Sequence, residues 1–387
     1  MQGKSVQIKQ KELIAIDEKL DFLVKKIELL NYINPLNIAA QKALFFESKF
    51  TENPKFVYPK RDFNSYELQR ALFVLPIETI TDTVLQSLYE DIIYSYSGLI
   101  QCIDTIGEAE KFYYNSLRSF GTPTANDVEN AQFILHFMST QVKEEGDIPQ
   151  FDVVETEKQF RAYSKRYDFS YEIKHSDKLA AIAMVLSNDK TLVLNSKHLF
   201  SANEIKILTN HEIGVHMVTT MNAAVHELKI FNHGFPKNVE TQEGLAVFSE
   251  FMSNGLTLNR LKELAYRVIA VDSLAKGADF VETFKLLHNT YNLGKNKAFT
   301  ITTRVHRGGG FTKDFLYLTG LKKVYDYYYE GKDLNVLLTG KVSIKYANQI
   351  AYMIANNFAK PAKYITDSYL INSNESDKIA FILKSLK

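Results

Sequence analysis

Tryptophan is absent from the 387 residues, cysteine occurs once, and neither sign of charge predominates, with 46 Lys+Arg against 45 Asp+Glu. Each shortage excludes something. A single cysteine, Cys102, can form no internal disulfide and no cysteine metal cluster, which fits a reducing compartment. Its apolar setting, Gly98-Leu99-Ile100-Gln101-Cys102-Ile103, reads as core rather than as a nucleophile. Balanced charge gives no global field for nucleic acid or anionic membranes. No stretch of 18 apolar residues exists, so a membrane span is not expected. The first ten residues lack the apolar stretch of a signal peptide. A cytoplasmic protein is expected. What is present, 45% hydrophobic and 24% charged residues, is the profile of a globular chain able to bury a large core. The abundance of Lys, Asn, Ile, Tyr and Phe suggests a bacterial source.

The first half reads as helical. Apolar residues recur at Leu13, Ile16, Leu20, Leu23, Ile27 and Leu30, the three-and-four spacing of a helix over Lys11 to Leu30. Pro35 can open a second helix to about Lys49. Another helical stretch runs from Thr81 to Ser119 with interruptions near Gly98 and Gly107. Gly121-Thr122-Pro123 ends it, and Thr124 or Asn126 can cap the next helix. The period then changes. Tyr171–Lys174, Ala180–Leu186 and Thr191–Asn195 are short β-prone runs, the last two joined by a hairpin loop at Ser187-Asn188-Asp189-Lys190. Ser201-Ala202-Asn203-Glu204 has the form of a capping box, so a helix is expected to open at Ala202. After Gly244 the pattern is helical again. No internal repeat or low-complexity linker occurs.

On the helix that opens at Ala202 stands His211-Glu212-Ile213-Gly214-Val215-His216. Three residues separate Glu from the second His, where the common zinc-peptidase motif has two. On an α-helix, positions five apart point about 140° away from each other, against about 40° for positions four apart. The two imidazoles can share a metal only if a π-type widening adds one residue to a turn. Gly214 is the least costly residue to distort, so a bulged turn is predicted between His211 and His216. Imidazole suits zinc, and catalytic zinc sites take three protein ligands plus a water. Glu212 projects away from both histidines and can accept a proton from that water. On residue types alone, a buried histidine pair beside a solvated glutamate fits equally well.

The surrounding sequence resembles a known family. Asn210-His211-Glu212-Ile213-Gly214-Val215-His216, then Thr241-Gln242-Glu243-Gly244-Leu245-Ala246, then Arg304-Val305-His306-Arg307-Gly308-Gly309-Gly310-Phe311-Thr312-Lys313-Asp314 with Tyr317-Leu318-Thr319-Gly320, is similar to the family that includes the microtubule-associated tyrosine carboxypeptidases, whose bacterial members are named for the QEGLA motif. Gly121-Thr122-Pro123 resembles a weaker element of it, and the resemblance is concentrated in residues 180–320. It implies an α+β, predominantly α, zincin-like metallopeptidase with a small sheet beside the HExxxH helix. Residues 1–80 would be an N-terminal helical region packed on a catalytic domain, 81–387. It implies one zinc ion held by His211, His216 and Glu243, with Glu212 as general base. Glu243 is expected in the first turn of a helix opening near Thr241, where a carboxylate is favoured by the helix N-terminus. Glu250 is the rival ligand or a partner behind one. Glu240 is expected in solvent ahead of the helix.

A carboxypeptidase must recognise a terminal carboxylate, which Arg does well. Arg304, Arg307 and Lys313 are the candidates, beside glycines whose N–H groups could approach an anion; the ordinary alternative is a mobile surface loop with solvated charges. Tyr317 is a candidate oxyanion donor, or a core tyrosine. His226 and His233, between the two ligand motifs, could line a cleft, with the turn at His233-Gly234-Phe235-Pro236 pointing to an exposed loop histidine; Asn222 is expected as a substrate-backbone contact, and His175, His198 and His288 carry no metal spacing. Either Ala180–Leu186 or Thr191–Asn195 can accept an extended substrate as an added strand. The expected partner is a peptide or protein C-terminus, with a C-terminal aromatic or tyrosine residue removed. No basic arm suits the acidic surface of tubulin. The alternatives are a non-catalytic regulator that kept the metal site and a zinc hydrolase of another amide; nothing in the sequence sets the oligomeric state.

Overall fold

Side-chain oxygens mark where many helices begin. Asp82 accepts from the N–H groups of Val84 and Leu85, and reciprocal capping boxes open helices after Thr124, Asp152, Ser201 and Asp279. The computed structural model describes residues 2–138, 146, 148–177, 179 and 181–387. Its contacts divide it into two units, each gathered from separate stretches: residues 1–137, 261–318 and 387 in one, residues 138–260 and 319–386 in the other. The architecture is α+β and mainly helical, with one three-stranded sheet. Among the described residues no helix is long and apolar enough to cross a membrane.

The first unit is all-helical. Its predicted first helix is Gln2–Val24, stopping six residues short of Leu30, and a short helix restarts at Leu29–Ile33. The stretch after Thr81 is unbroken at Gly98 and divides at Gly107, whose φ of 90° no L-residue adopts readily, into Thr83–Asp104 and Ala109–Phe120. Phe45, from helix Ile38–Glu47, lies 4.9 to 5.6 Å from the rings of Phe284, Phe280 and Phe299. Buried Tyr89 donates to buried Asp17 at 2.8 Å. The first 80 residues therefore share a core with residues 81–137 and 261–318. Cys102 is buried as expected, and burial pushes its thiol up to about 11, which disfavours the thiolate a nucleophile needs.

The second unit holds the sheet, with β1 at Glu172–Ser176, β2 at Ala183–Leu186 and β3 at Thr191–Asn195. β3 is central, parallel to β1 and antiparallel to β2. The β2–β3 hairpin is the one the turn residues predict; Ala180, where the β-prone run starts, lies outside the described residues. β3 cannot accept a substrate strand because both its edges are paired. Leu192 and Leu194 pack with Phe160, Phe200, Ile205, Ile213 and Met217, so one apolar cluster joins the sheet to the helix that follows it.

Helix Asn238–Met252 crosses helix Leu316–Tyr329 at backbone contact. A Cβ on Gly244 would fall on the carbonyl of Gly320, and one on Gly320 on the carbonyl of Glu240. Here space, not backbone torsion, requires glycine. Neither backbone can yield without moving a helix, so Gly244→Ala should lower stability by about 3 kcal/mol. An unfolding midpoint equal to that of the wild type would contradict the crossing.

Candidate metal centre

Helix Ala202–Leu208 opens on the Ser201–Glu204 capping box and runs directly into a π-helix, Thr209–Met217, then into Val218–Ala223. The predicted widening is present, and it extends over nine residues rather than one turn. It brings the rings of His211 and His216 to 4.9 Å between centroids. A widened helix turns its carbonyls out of α-helical register, and hydroxyl groups meet them here. Ser249 Oγ donates to the carbonyl of Asn210 at 3.0 Å, Thr366 Oγ1 to Gly214 at 2.7 Å and Thr220 Oγ1 to His216 at 2.7 Å. Gly214 leaves room for Tyr163 and Thr366: a Cβ there would lie 3.1 Å from the Tyr163 hydroxyl.

The Gln242–Ala246 motif faces this helix, and each of its residues has a physical task. Gln242 accepts from Thr219 at 3.0 Å and donates to the carbonyl of Gly340 at 3.2 Å. Glu243 places a carboxylate oxygen 3.9 Å from His211 Nε2 and 3.8 Å from His216 Nε2. Gly244 makes the helix crossing, and Leu245 and Ala246 are fully buried. The helix starts at Asn238, not near Thr241, so Glu243 lies in its second turn and gains little from the helix N-terminus. Glu240 is inside the helix and pairs with Lys323 at 2.7 Å, contrary to the solvated position expected.

Among the described residues, His211, His216 and Glu243 form a group whose potential ligand atoms all lie within 4.8 Å of one another. Glu250 is elsewhere. It is fully buried, and its Oε1 accepts from His211 Nδ1 at 2.8 Å, so it orients that ring from behind. Around the two imidazoles stand three carboxylates, Glu212, Glu243 and Glu250, and the guanidinium of Arg260. Two nitrogens, a carboxylate and a surplus of buried negative charge suit a divalent cation such as zinc. Glu212 is buried and holds its proton more tightly than usual: burial raises its pKa, and the charge of Glu243 adds to this, against His211 and the Val185 N–H that it accepts from. Burial pushes His211 down, but Glu250, Glu212 and Glu243 together bring it above its ordinary value.

With this geometry in view, the comparisons with known proteins are decisive. A family model described as microtubule-associated tyrosine carboxypeptidase matches residues 43–387. The chain belongs to that family. It is a family of carboxypeptidase-type peptidases, acting on peptide or protein substrates. The match to the tyrosine carboxypeptidase family is wider than the region the motifs mark, starting at residue 43 rather than near residue 180. No curated protein matches the chain.

The other polar candidates gather in the first unit. Arg304 and Asp314 form a two-pronged ion pair, with Nη2 to Oδ1 at 2.9 Å. Arg307 is buried over the ring of Phe311 and donates to Asn34; burial, with Arg304 nearby, lowers its pKa to about 10. Arg267 and Lys313 lie 4.9 and 5.2 Å from the ring centre of partly buried Tyr317. This block is not a mobile loop. Nor do its glycines form an anion cradle: Gly308 donates its N–H to Tyr58 at 2.7 Å, and Gly308, Gly309 and Gly310, all at positive φ, are seated against Phe112, Ala109 and Tyr113.

Three further expectations change. Asn222 is buried, donating to the carbonyls of Leu338 and Tyr364 and accepting from the N–H groups of Lys363 and Tyr364, so it ties two segments together and has no capacity left for a substrate. His226 is buried, stacked on Phe231 at 4.0 Å, and bonded through both ring nitrogens to backbone at Thr339 and Lys360. His233 ends helix Ile230–His233 and is half-buried. Thr366, Ser249 and Arg260 carry no sequence signal, because each acts only through the segment it meets in space.

Burial pushes the Asp314 carboxyl up, but Arg304, Arg267 and Arg307 hold it far below the usual carboxylate range. Its contribution is therefore complete above about pH 4 and is lost as pH falls further. Asp314→Ala should cost about 3–5 kcal/mol, since it strands buried guanidinium charge, and should flatten the stability profile below about pH 4. Urea unfolding between pH 2 and 7 tests both; an unchanged profile refutes the pairing.

Proposed function

We propose that the chain is a zinc-dependent carboxypeptidase with a zincin-like catalytic arrangement, in which His211, His216 and Glu243 hold one zinc ion and Glu212 is the general base. The observation that carries this reading is the π-helix, which makes histidines five residues apart converge beside Glu243. A bound zinc ion supplies a Lewis acid and a water of lowered pKa. Glu212 then accepts a proton at its carboxylate and returns it to the leaving amine. Its burial favours the protonated form, which suits a group that must hold the proton between the two transfers.

Substrate alignment falls to β2. Asn195 donates to the carbonyl of Ile182, so by alternation Ala183 and Val185 direct their backbone groups away from β3. Glu212 occupies the Val185 N–H, and the remaining groups suit an extended peptide added as a further strand. Recognition of the substrate carboxylate is assigned to Arg304, Arg307, Lys313 and Tyr317, on the family resemblance of their block and its buried positive charge. Asp314 already fills the fork of Arg304, so Arg307, whose buried Nε has no hydrogen-bond partner, is the stronger candidate within that set. Residues 1–80 act in this reading as an accessory region to a catalytic domain of 81–387. A cytoplasmic setting accords with the lone buried thiol of Cys102, and a bacterial source with the composition rich in Lys, Asn, Ile, Tyr and Phe.

Glu212→Gln should retain one zinc per chain by elemental analysis and slow peptide hydrolysis by about 10²–10⁴-fold. With a peptide library read by mass spectrometry, the wild type should remove single residues from C-termini, aromatic ones foremost. Undiminished cleavage by the Gln variant removes Glu212 from the mechanism, and internal cleavage removes the exopeptidase assignment.

A further inference from the structure

We infer that Arg260 is a positioning residue for the metal centre, acting through Glu250 on His211; this rests on the zinc reading above. Glu250 has no solvent exposure, yet both its carboxylate oxygens are engaged. Oε1 accepts from His211 Nδ1 at 2.8 Å and from Arg260 Nη2 at 3.2 Å, and Oε2 accepts from Arg260 Nε at 3.2 Å. A carboxylate removed from water needs a partner of opposite charge with matching geometry, and the planar guanidinium fork provides it. With Arg260 in place, Glu250 is fixed in two dimensions, and its bond to Nδ1 sets the plane of the His211 ring. Nε2 is then left facing His216 and Glu243.

The chain between the two residues is built to deliver this contact. The carbonyl of Glu250 accepts from Gly255 N at 2.7 Å, Leu256 N at 2.9 Å and Ser253 Oγ at 3.1 Å, which folds the helix end back on itself. Asn254 takes the left-handed conformation in that turn, at φ 55°. Thr257 Oγ1 then accepts from Arg260 N at 3.1 Å. Arg260 thus returns to the side chain of the residue whose carbonyl anchors the turn, ten positions earlier. A buried ion pair placed only for packing has no need to share an oxygen with a candidate metal ligand. Nothing in the residue types around Arg260 announces the role, since Leu258-Asn259-Arg260-Leu261-Lys262 reads as an ordinary helix start.

The test uses the full chain, stripped of metal. Zinc affinity is measured by competition with a chromophoric chelator, the cobalt(II) form is read by its visible spectrum, and circular dichroism reports the fold of each metal-free variant. Glu250→Ala should weaken zinc binding by about 10–100-fold, and Arg260→Ala should do so within the same range and alter the cobalt spectrum. Arg260→Lys keeps the charge without the fork, so it is the variant that secures a folded protein, and its affinity should fall between that of Arg260→Ala and the wild type. Folded Arg260 variants with wild-type zinc affinity and an unchanged cobalt spectrum overturn the inference while leaving the zinc reading intact. A wild-type chain that binds no zinc overturns both.

Discussion

One additional residue in a helical turn is the constraint from which the second unit is organised. Histidines at positions 211 and 216 diverge on an α-helix, and they converge only because residues 209–217 adopt the wider π form. Hydroxyls of Ser249, Thr366 and Thr220 donate to carbonyls along it. Ser249 belongs to the helix that also carries Glu243 and Glu250. One neighbouring helix therefore both bonds the π-helix backbone and carries carboxylates of the site. The crossing at Gly244 holds that neighbour against Gly320, which restricts how far the helix can slide along its axis.

The two units bury charge of opposite sign. In the second, three carboxylates outnumber the single guanidinium around two imidazoles, an arrangement that invites a cation. In the first, Arg267, Arg304 and Arg307 surround Asp314 and are shared between two carboxylates, Asp314 and Glu263, and aromatic faces. Like charges held out of water are costly, so neither cluster is an economical way to stabilise a fold. Ionisable groups perturbed in this way are more frequent at functional sites than elsewhere.

Much of this was readable from residue order, for reasons that are local. The five-residue histidine spacing demands a widened helix whatever surrounds it, and the capping box at Ser201 depends on four consecutive residues. The hairpin at Ser187–Lys190 follows from its turn residues. Misreadings arose where distant segments decide. Asn222 reads as a substrate contact and His226 as a cleft residue until Tyr364, Leu338, Thr339 and Lys360 are brought onto them. The glycines after Arg307 suggest an open loop, but the helix beginning at Ala109 leaves no space for side chains there. The Gln242–Ala246 helix starts three residues before Thr241, unannounced by residue type, because Asn238 follows Lys237 in the left-handed conformation without a side-chain cap.

The edge strand β2 has a consequence for solubility. Exposed strand edges are templates for uncontrolled pairing between molecules, and natural proteins keep them short, charged or obstructed. β2 spans only Ala183–Leu186, and one of its outward N–H groups is already taken by a buried glutamate. Glu212 therefore guards the edge in the resting protein. If β2 receives extended peptides as proposed, the carboxylate proposed to serve the chemistry also shields that edge from self-association.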